Sequence, residues 1–490
     1  MRPDEGGRST VYGTAGAVAC EDPRAAVSAI RVLDAGGTAV DACVAAAAVM
    51  AVVAPMMTGP GGDAFLLHYD AATGAVRALE GAGAAGGRAT LEAVRALGHD
   101  DMPARGPATI TVPGAVRLWA DAVGELGRLP LADLLEPARE LAERGFAAGE
   151  VVSRVWSEAE PLLAADPAAA AAFLPAPRAG EIVRLPDLAR TLGAIAEDGA
   201  DAFYAGEIAD SILATAAHLT ANDLADHRST WVEPLTAGYH GLTVHELPPP
   251  TTGVAVVEML RMLEPEDLGA LDALCAERIH LEASAAQAAF AELHANVGDP
   301  AFAGRGDGDT TYVAAVDAEG NGCSLINSLY KGFGSGLVAP GTGVCLHDRG
   351  FGFTLQPGHP NAIAPGKRPL HTLIPGLVTE AGRLWAVYGN MGGFMQPQGH
   401  VQVLVNLRDH AMPPQAAVDH PRHFLDDGVL LVEGRVPAGE VEKLRAWGHD
   451  VRVGPPYALA TGGAQVVRVH EDGIRAAGSD PRKDGCALAQ

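Results

Sequence analysis

Residues 305–330 read Arg-Gly-Asp-Gly-Asp-Thr-Thr-Tyr-Val-Ala-Ala-Val-Asp-Ala-Glu-Gly-Asn-Gly-Cys-Ser-Leu-Ile-Asn-Ser-Leu-Tyr, which places a threonine pair at the mouth of a β-hairpin. A threonine hydroxyl is a poor nucleophile until a base lies beside it, and a free α-amine on the same residue is such a base. Cleavage between Asp309 and Thr310 would create that amine, so we interpret Thr310 as a hidden N-terminus. Taken alone, Asp-Thr-Thr is also typical of an ordinary strand opening.

Composition sets the outer limits of the function. The chain has 490 residues, 48% hydrophobic and 19% charged, which is typical of a globular protein with a large core. Its 35 basic and 60 acidic residues give a formal charge of -25, which opposes binding to nucleic acid and to anionic membranes. The most apolar run, 42–57, is shorter than a bilayer crossing and contains Pro55, so we predict a buried helix and no membrane span. The first residues contain no apolar segment, so we expect a cytoplasmic protein.

Neither a metal nor another cofactor is predicted. The six cysteines are scattered without CxxC spacing, which argues against zinc, a redox motif or a disulfide framework, and we expect reduced thiols. Four histidines in the second half lack ligand spacing such as HExxH, and we interpret them as structural or surface residues: His347, His359, His420 and His423.

Helical and strand patterns alternate along the chain, which favours α/β or α+β layers. Residues 23–54 predict two helices joined by Asp34-Ala-Gly-Gly, and 65–69 with 75–79 predict a hairpin. Apolar spacing predicts a further helix from Leu281 to Leu293, ending near Gly298-Asp-Pro. The Ala/Pro-rich stretch 164–177 is interpreted as a surface loop.

Two glycine-rich segments invite a functional interpretation. The turn Gly389-Asn-Met-Gly-Gly393 lies between a predicted strand, 384–388, and a predicted helix, 398–407, and its amides could form an oxyanion hole. An ordinary tight turn or a phosphate nest is the alternative. The segment Gly81-Ala-Gly-Ala-Ala-Gly86 matches a dinucleotide fingerprint, but the strand before it is the second arm of a hairpin, which argues against that function. In a third segment, 367–375, His371 and Thr372 could orient a reacting group, although a histidine there is more often structural.

Ten motifs occur in a fixed order along nearly the whole chain: Gly36-Gly-Thr-Ala-Val-Asp-Ala, Gly59-Pro-Gly-Gly-Asp-Ala-Phe, Val112-Pro-Gly, Leu247-Pro-Pro-Pro, Gly298-Asp-Pro, Asp309-Thr-Thr, Asp317 with Gly320-Asn321, Phe333-Gly-Ser-Gly, Lys367-Arg-Pro-Leu and Gly392-Gly393. Together they resemble the gamma-glutamyltranspeptidase family of N-terminal nucleophile hydrolases. The resemblance implies an α+β fold, a four-layer αββα sandwich, in which 1–309 form a large chain and 310–490 a small one within one domain.

The same resemblance implies roles for individual residues. Thr310 would be the nucleophile, its freed amine the base, and the amides of Gly392 and Gly393 the oxyanion hole. The processing point would be the bond between Asp309 and Thr310. A substrate-binding role is implied for four residues: Ser328, Tyr330, His371 and Thr372.

Three departures from the family pattern bear on the substrate. The position of the family's carboxylate-binding arginine is about Ala82, and that of its amine-binding aspartate is Gly352, so both charged contacts are missing. The lid is reduced to Gln356–Gly366, and only nine residues separate Pro300 from Thr310. Loss of the two charge-assisted contacts would weaken γ-glutamyl recognition by roughly 1.5 to 3 kcal/mol each.

Segments 327–336 and 391–400 resemble a lidless branch with cephalosporin-acylase-like and oxamate-amidohydrolase-like members. We therefore predict a self-processing threonine amidohydrolase that acts through an acyl-threonine intermediate on a small or dicarboxylate-derived amide rather than on a typical γ-glutamyl substrate. Three alternatives stay open: a genuine γ-glutamyl hydrolase or transferase acting on glutathione-like compounds, a carbon-carbon-cleaving biosynthetic relative, and an unprocessed, non-catalytic binding homologue. The expected partners are the two chains of one precursor, and a homo-oligomer is compatible with this interpretation.

Overall fold

The computed structural model describes residues 7–297 and 309–490, with only the backbone of Asp309. The strands of the described residues are β1 Val11–Gly13, β2 Ala17–Cys20, β3 Asp63–Tyr69, β4 Val76–Glu80, β5 Phe146–Ala147, β6 Ile182–Val183, β7 Thr230–Val232, β8 Leu235–Tyr239, β9 Leu242–Glu246, β10 Asp309–Val316, β11 Gly322–Tyr330, β12 Val338–Ala339, β13 Val344–Cys345, β14 Gly376–Glu380, β15 Arg383–Met391, β16 His423–Asp426, β17 Val429–Glu433, β18 Asp450–Gly454, β19 Gly463–Val469, β20 Arg475–Ser479 and β21 Cys486–Ala489.

The α-helices of the same residues are α1 Pro23–Asp34, α2 Ala39–Val53, α3 Leu91–Ala96, α4 Ala115–Leu126, α5 Leu131–Arg144, α6 Glu150–Glu158, α7 Glu160–Leu163, α8 Pro167–Phe173, α9 Pro186–Asp198, α10 Asp201–Tyr204, α11 Gly206–Thr215, α12 Ala221–Ala225, α13 Gly253–Leu263, α14 Ala276–Asn296, α15 Met395–Arg408, α16 Pro414–Asp419 and α17 Ala438–Ala446.

Two seven-stranded antiparallel sheets form the centre of the protein. The first has the order β1-β20-β19-β15-β14-β9-β8, and the second has the order β21-β2-β10-β11-β3-β4-β7. The second sheet interleaves strands from both sides of position 310, because β10 lies between β2 and β11 and β21 pairs with β2. Each sheet is therefore built from both of the predicted chains.

Three apolar cores separate the layers. One lies between the two sheets, one packs α1, α2, α4, α5 and α9 on the second sheet, and one packs α13, α14 and α15 on the first. The predicted αββα sandwich is confirmed. Helix α2 shows why the apolar run 42–57 stays inside: all fifteen of its residues are buried, and a capping box of Thr38 and Asp41 starts it.

The local predictions mostly hold. Helices α1 and α2 flank the predicted Asp34-Ala-Gly-Gly connection, where Gly36 takes a φ of 84°. Strands β3 and β4 form the predicted hairpin, and α14 covers 281–293. Its predicted end at Gly298-Asp-Pro, and the short tether from Pro300, lie outside the described residues.

The surface-loop prediction for 164–177 is wrong. Asp166 caps helix α8 by accepting from the Ala169 amide at 2.8 Å, and a proline follows it at the first helical position. Phe173, at the end of this helix, is buried against Trp156 and Phe333. Capping residues and one buried aromatic therefore outweigh the low-complexity composition.

Candidate active site

Thr310 lies at the start of β10, with only 1% of its surface exposed. Its hydroxyl donates a hydrogen bond to the Ser328 hydroxyl at 3.2 Å, and the Ser328 oxygen accepts from the Tyr330 amide at 2.7 Å. At this level β11 carries a β-bulge, because two of its residues oppose Thr310 alone, and Tyr330 takes a φ of 80°. The bulge sits at the point where the two hydroxyls meet.

The register of the second sheet places three polar side chains in one row that faces the first sheet. The core between the sheets contains side chains from the three neighbouring strands β10, β11 and β3, among them Tyr312, Ile326 and Phe65. Because side chains alternate between faces, residues two positions away share that face, and these are Thr310, Ser328 and Asp63. Ser328 and Asp63 are direct cross-strand partners. Ser328 therefore lies between Thr310, the candidate nucleophile, and the buried carboxylate of Asp63.

Asp63 is the centre of a buried hydrogen-bonded cluster. Its Oδ2 lies 3.1 Å from His371 Nε2 and 3.3 Å from His347 Nδ1, and its Oδ1 accepts from the Gly83 amide at 3.2 Å. Burial alone would raise the pKa of Asp63, but the two histidines hold it well below its usual range. The carboxylate therefore stays ionised at neutral pH.

His371 is neutral in this cluster. Burial, together with the nearby Arg349, lowers the pKa of His371 to about 3. Its Nδ1 accepts from the Leu373 amide at 3.3 Å, so the ring proton is on Nε2 and is donated to Asp63. His371 thus orients the carboxylate and carries no charge of its own.

Arg349 adds a cation that the sequence analysis did not assign. It is 1% exposed, donates through Nη1 to the Thr372 hydroxyl at 3.1 Å, and lies 4.2 Å above the Tyr330 ring. Its Nε is 3.9 Å from Asp63 Oδ2, beyond hydrogen-bonding distance. Among the described residues, neither Nε nor Nη2 has a hydrogen-bond acceptor.

A second buried arginine shows what those two nitrogens can do. In Arg482, Nε and Nη2 grip both carboxylate oxygens of Glu433, at 2.7 and 2.8 Å, while Nη1 donates to Asp480 at 3.1 Å. This is the bidentate arrangement that makes arginine a carboxylate receptor. Arg349 presents the same pair of nitrogens beside Tyr330 and Thr372, so it is chemically suited to hold a carboxylate there.

The glycine turn predicted as an oxyanion hole follows β15. Gly392 and Gly393 take φ values of 114° and 58°, which an L side chain rarely adopts. Three residues earlier, Gly389 packs so closely on the Tyr312 ring that a Cβ would lie 2.5 Å from it, so β15 crosses directly over β10. Helix α15 begins just beyond the turn, and its N-terminal dipole favours negative charge at this end.

A cavity of about 680 Å³ lies near the Asp63 cluster, although its lining residues do not include Thr310, Ser328 or Asp63 itself. Its wall includes Ala82, which extends the β3–β4 register to the position opposite Asp63, and Pro250, whose carbonyl accepts from the His371 amide at 2.8 Å. At Gly352 no side chain fits, because a Cβ would lie 2.6 Å from the Leu370 carbonyl oxygen. Of the two positions where the family has a charged contact, Ala82 forms part of the cavity wall, and Gly352 lies so close to the backbone that no side chain fits.

The structure brings together five of the predicted site residues: Thr310, Ser328, Tyr330, His371 and Thr372. Arg349 and Asp63 connect the first three to the last two. The glycine pair lies at the end of the strand that crosses β10, and the side chain of Asp309 lies outside the described residues.

Comparison with known proteins places the chain in a family. The Gamma-glutamyltranspeptidase family profile matches residues 25–306 and 301–490. The chain belongs to the gamma-glutamyltranspeptidase family. The resemblance seen in the ordered motifs is therefore confirmed.

Individual relatives in this family align with nearly the whole chain. A "Glutathione hydrolase-like YwrD proenzyme" of Bacillus subtilis is 36% identical, over 98% of this chain and 99% of the relative. An "Oxamate amidohydrolase proenzyme" of Klebsiella pneumoniae is 35% identical, over 94% and 96%. The crystal structure of a cephalosporin acylase from Bacillus halodurans superposes with a TM-score of 0.93 at 35% identity, over 100% and 98%. The chain is accordingly an enzyme of a family whose members include amide hydrolases.

The motif that contains Asp63 was identified from the sequence, but neither Asp63 nor Arg349 was given a role, and His347 was interpreted as a structural or surface residue. Asp63 lies in the glycine-rich turn 59–65, and Arg349 lies shortly before Gly352, the glycine at the position of the missing aspartate. A charged residue inside a segment without a helical or strand pattern was the available signal.

Residues 7–297 and 309–490 lack two further features. None of the helices there is long and apolar enough to cross a membrane. The same residues contain no group of three or more His, Cys, Asp or Glu side chains arranged to hold a metal ion.

Proposed function

We propose that this protein is a self-processing threonine amidohydrolase whose substrate carries a carboxylate in its acyl group. The main support for this proposal is the position of the Thr310 hydroxyl, at the start of β10 and 3.2 Å from the Ser328 hydroxyl. Cleavage of the Asp309–Thr310 bond would give chains 1–309 and 310–490, held together by the interleaved sheets.

In the proposed reaction the Thr310 oxygen attacks the amide carbon while its proton passes to the α-amine of the same residue. The turn at Gly392 and Gly393 would donate its amides to the oxyanion, each such donor contributing on the order of 3 kcal/mol. The α-ammonium then gives its proton to the leaving amine. Water attacks the acyl-threonine ester and releases the acid, which restores the hydroxyl.

Arg349 supports the choice of acyl group. Its Nε and Nη2 form the same donor pair with which Arg482 holds Glu433, and they lie beside Tyr330 and Thr372. A buried guanidinium with unmet donors is unfavourable unless a ligand completes it. A half-amide of a dicarboxylic acid supplies both the scissile bond and the carboxylate. The open wall at Ala82 and the closed contact at Gly352 count against typical γ-glutamyl substrates.

The test begins with intact mass under denaturing conditions, comparing wild type with Thr310→Ala. We expect two wild-type chains that break at Asp309/Thr310 and one uncut mutant chain. The processed enzyme is then offered half-amides of dicarboxylic acids with two to six carbons, γ-glutamyl amides and neutral amides of matched length, and released ammonia is measured.

Preference for the half-amides by ten-fold or more in kcat/KM is the expected result. Equal rates on the neutral amides would refute the carboxylate requirement. A preference for γ-glutamyl amides would instead favour a genuine γ-glutamyl hydrolase. A wild-type chain that stays uncut after prolonged incubation would refute the whole proposal.

A further inference from the structure

Glu21 is a buried carboxyl group that the reaction above does not use. It follows β2, is 3% exposed, and accepts a hydrogen bond through Oε1 from the Tyr312 amide at 2.8 Å. Among the described residues, its second oxygen, Oε2, has no hydrogen-bond partner. A carboxyl oxygen inside a protein is unfavourable without a hydrogen-bond partner, unless a further donor completes it.

The backbone direction of β10 brings Glu21 to the amine of Thr310. In an antiparallel strand the N–H groups of residues two apart point to the same side. The Tyr312 amide points to Glu21, and Ala314 pairs with Ala19 of β2 on that side. The nitrogen of Thr310 therefore also faces the β2 side, about 7 Å from the Tyr312 nitrogen along the strand.

The carboxyl group also lies near the side chain of Thr311, the residue between Tyr312 and Thr310. The Thr311 hydroxyl, which lies between the two nitrogens in the sequence, is one of the groups that lower the pKa of Glu21. Cleavage would release Thr310 from the preceding peptide, and rotation about its own backbone bonds would then bring the amine to Oε2.

Several charged groups face Glu21 from neighbouring elements. Burial raises the pKa of Glu21 to about 8, the Tyr312 amide and Lys483 lower it, and Asp480 raises it. Lys483 is 5% exposed and packs its side chain on Gly463, which pairs with Met391 just before the glycine turn. The other ionisable groups nearby are Cys20, on the opposite face of β2, and Asp22, which is paired with Arg24.

We propose that Glu21 is a positioning residue that holds the α-amine of Thr310 after the Asp309–Thr310 bond is cut. The inference rests on the proposed function and adds a residue to it. The carboxylate accepts a hydrogen bond from the α-ammonium and keeps it beside the Thr310 hydroxyl. When the amine passes the proton that it took from the Thr310 hydroxyl on to the leaving group, Glu21 stays hydrogen-bonded to the neutral amine and exchanges no proton itself.

The test measures the pKa of the α-amine without using a substrate. Cyanate carbamylates only the unprotonated amine, so the pH dependence of Thr310 carbamylation, followed by mass spectrometry of the small chain, gives that pKa. In Glu21→Gln the Tyr312 hydrogen bond is kept while the charge is removed. Because an opposite charge within about 4–6 Å raises an amine pKa by 1–3 units, we expect the midpoint to fall by about one unit or more.

Two further variants separate this role from a structural one. Cys20→Ala, on the opposite face of the same strand, should keep the wild-type midpoint. Lys483→Met removes a competing cation, so the midpoint should rise, and this variant gives an answer even where Glu21→Gln does not fold. A Glu21→Gln midpoint equal to that of wild type, or no shift in Lys483→Met where Glu21→Gln cannot be measured, would overturn the inference while leaving the threonine mechanism intact. An uncut wild-type chain would overturn both.

Discussion

Replacing Arg349 with methionine should separate a binding residue from a structural one. The substitution keeps much of the side-chain volume and removes a guanidinium that is 1% exposed. It loses the hydrogen bond to Thr372, about 1.5–3 kcal/mol for a charged donor, and the contact with the Tyr330 ring, about 1–2 kcal/mol. It also removes two buried donors that have no acceptor within the described part of the chain, a gain of about 1–3 kcal/mol each. The stability lost with these contacts and the stability gained by removing the unpaired donors nearly cancel in the free energy of unfolding.

The matched control is Arg482→Met, which removes an arginine whose donors are all satisfied by Glu433, Asp480 and backbone carbonyls. Breaking such a buried pair costs about 3–5 kcal/mol. At about 2.1 cal/mol/K per residue, a chain of 490 residues loses about 1 °C in Tm for each kcal/mol. We therefore expect Tm to fall by about 3–5 °C in the control and to change by less than about 2 °C in Arg349→Met.

The assay combines calorimetry with kinetics. Calorimetry is done in the Thr310→Ala background, so that one uncut chain unfolds, and kinetics are done on the processed enzymes. With the half-amides, Arg349→Met should raise KM by about 10- to 150-fold, the equivalent of 1.5–3 kcal/mol for a charged contact. With neutral amides it should have no effect. A loss of 4 °C in Tm with unchanged selectivity would show that Arg349 is a structural residue and would refute the reasoning.

Three further outcomes are expected. Ser328→Ala should slow processing by about 10- to 100-fold on a time-course gel, since a hydrogen bond of the Thr310 hydroxyl is lost, whereas Ser328→Thr should keep it. Asp63→Asn should lower Tm by about 3–6 °C at pH 7, because it removes the charged acceptor of the hydrogen bonds from His371 and the Gly83 amide, worth about 1.5–3 kcal/mol each, while the exposed Asp101→Asn should leave Tm unchanged. The pKa of Glu21 is raised from 4.5 to about 8 in the uncut chain, so between these two values the folded state binds a proton that the unfolded state has lost. Denaturant titrations of Thr310→Ala should therefore show a free energy of unfolding that falls as pH rises from 4.5 to about 8. Adding Glu21→Gln should flatten this slope, and an unchanged slope would contradict the assignment.

The sequence predicts the layers and the position of Thr310 well, for physical reasons. The apolar run of α2 can be stable only inside a core. Ordered motifs then identify the family. The hydroxyl pair of Thr310 and Ser328 follows from the hairpin once a β-bulge is placed, but the bulge itself is visible only in the register.

The charged part of the site could not be predicted in the same way. Asp63 and Arg349 lie far apart in sequence, as do Glu21 and Tyr312, and each pair comes together only through the tertiary fold. Arg349 and Arg482 are indistinguishable as sequence letters, and only their hydrogen-bond partners separate a satisfied arginine from an unsatisfied one. Long-range pairing therefore decides which charges meet, and local patterns carry no information about it.

The pairing of the last residue with the first strands has a practical consequence. The Gln490 carbonyl accepts from the amides of Thr14 and Ala15 at 2.6 and 3.0 Å, and β21 lies beside β2. Because the two described ends are adjacent, a short glycine-serine linker should join 490 to residue 7 in a circular permutant. Such a chain would begin at Thr310 and end at 297. Once its initiator methionine is removed, translation itself would supply the threonine amine, and hydrolysis could be studied in a protein that never has to cut itself.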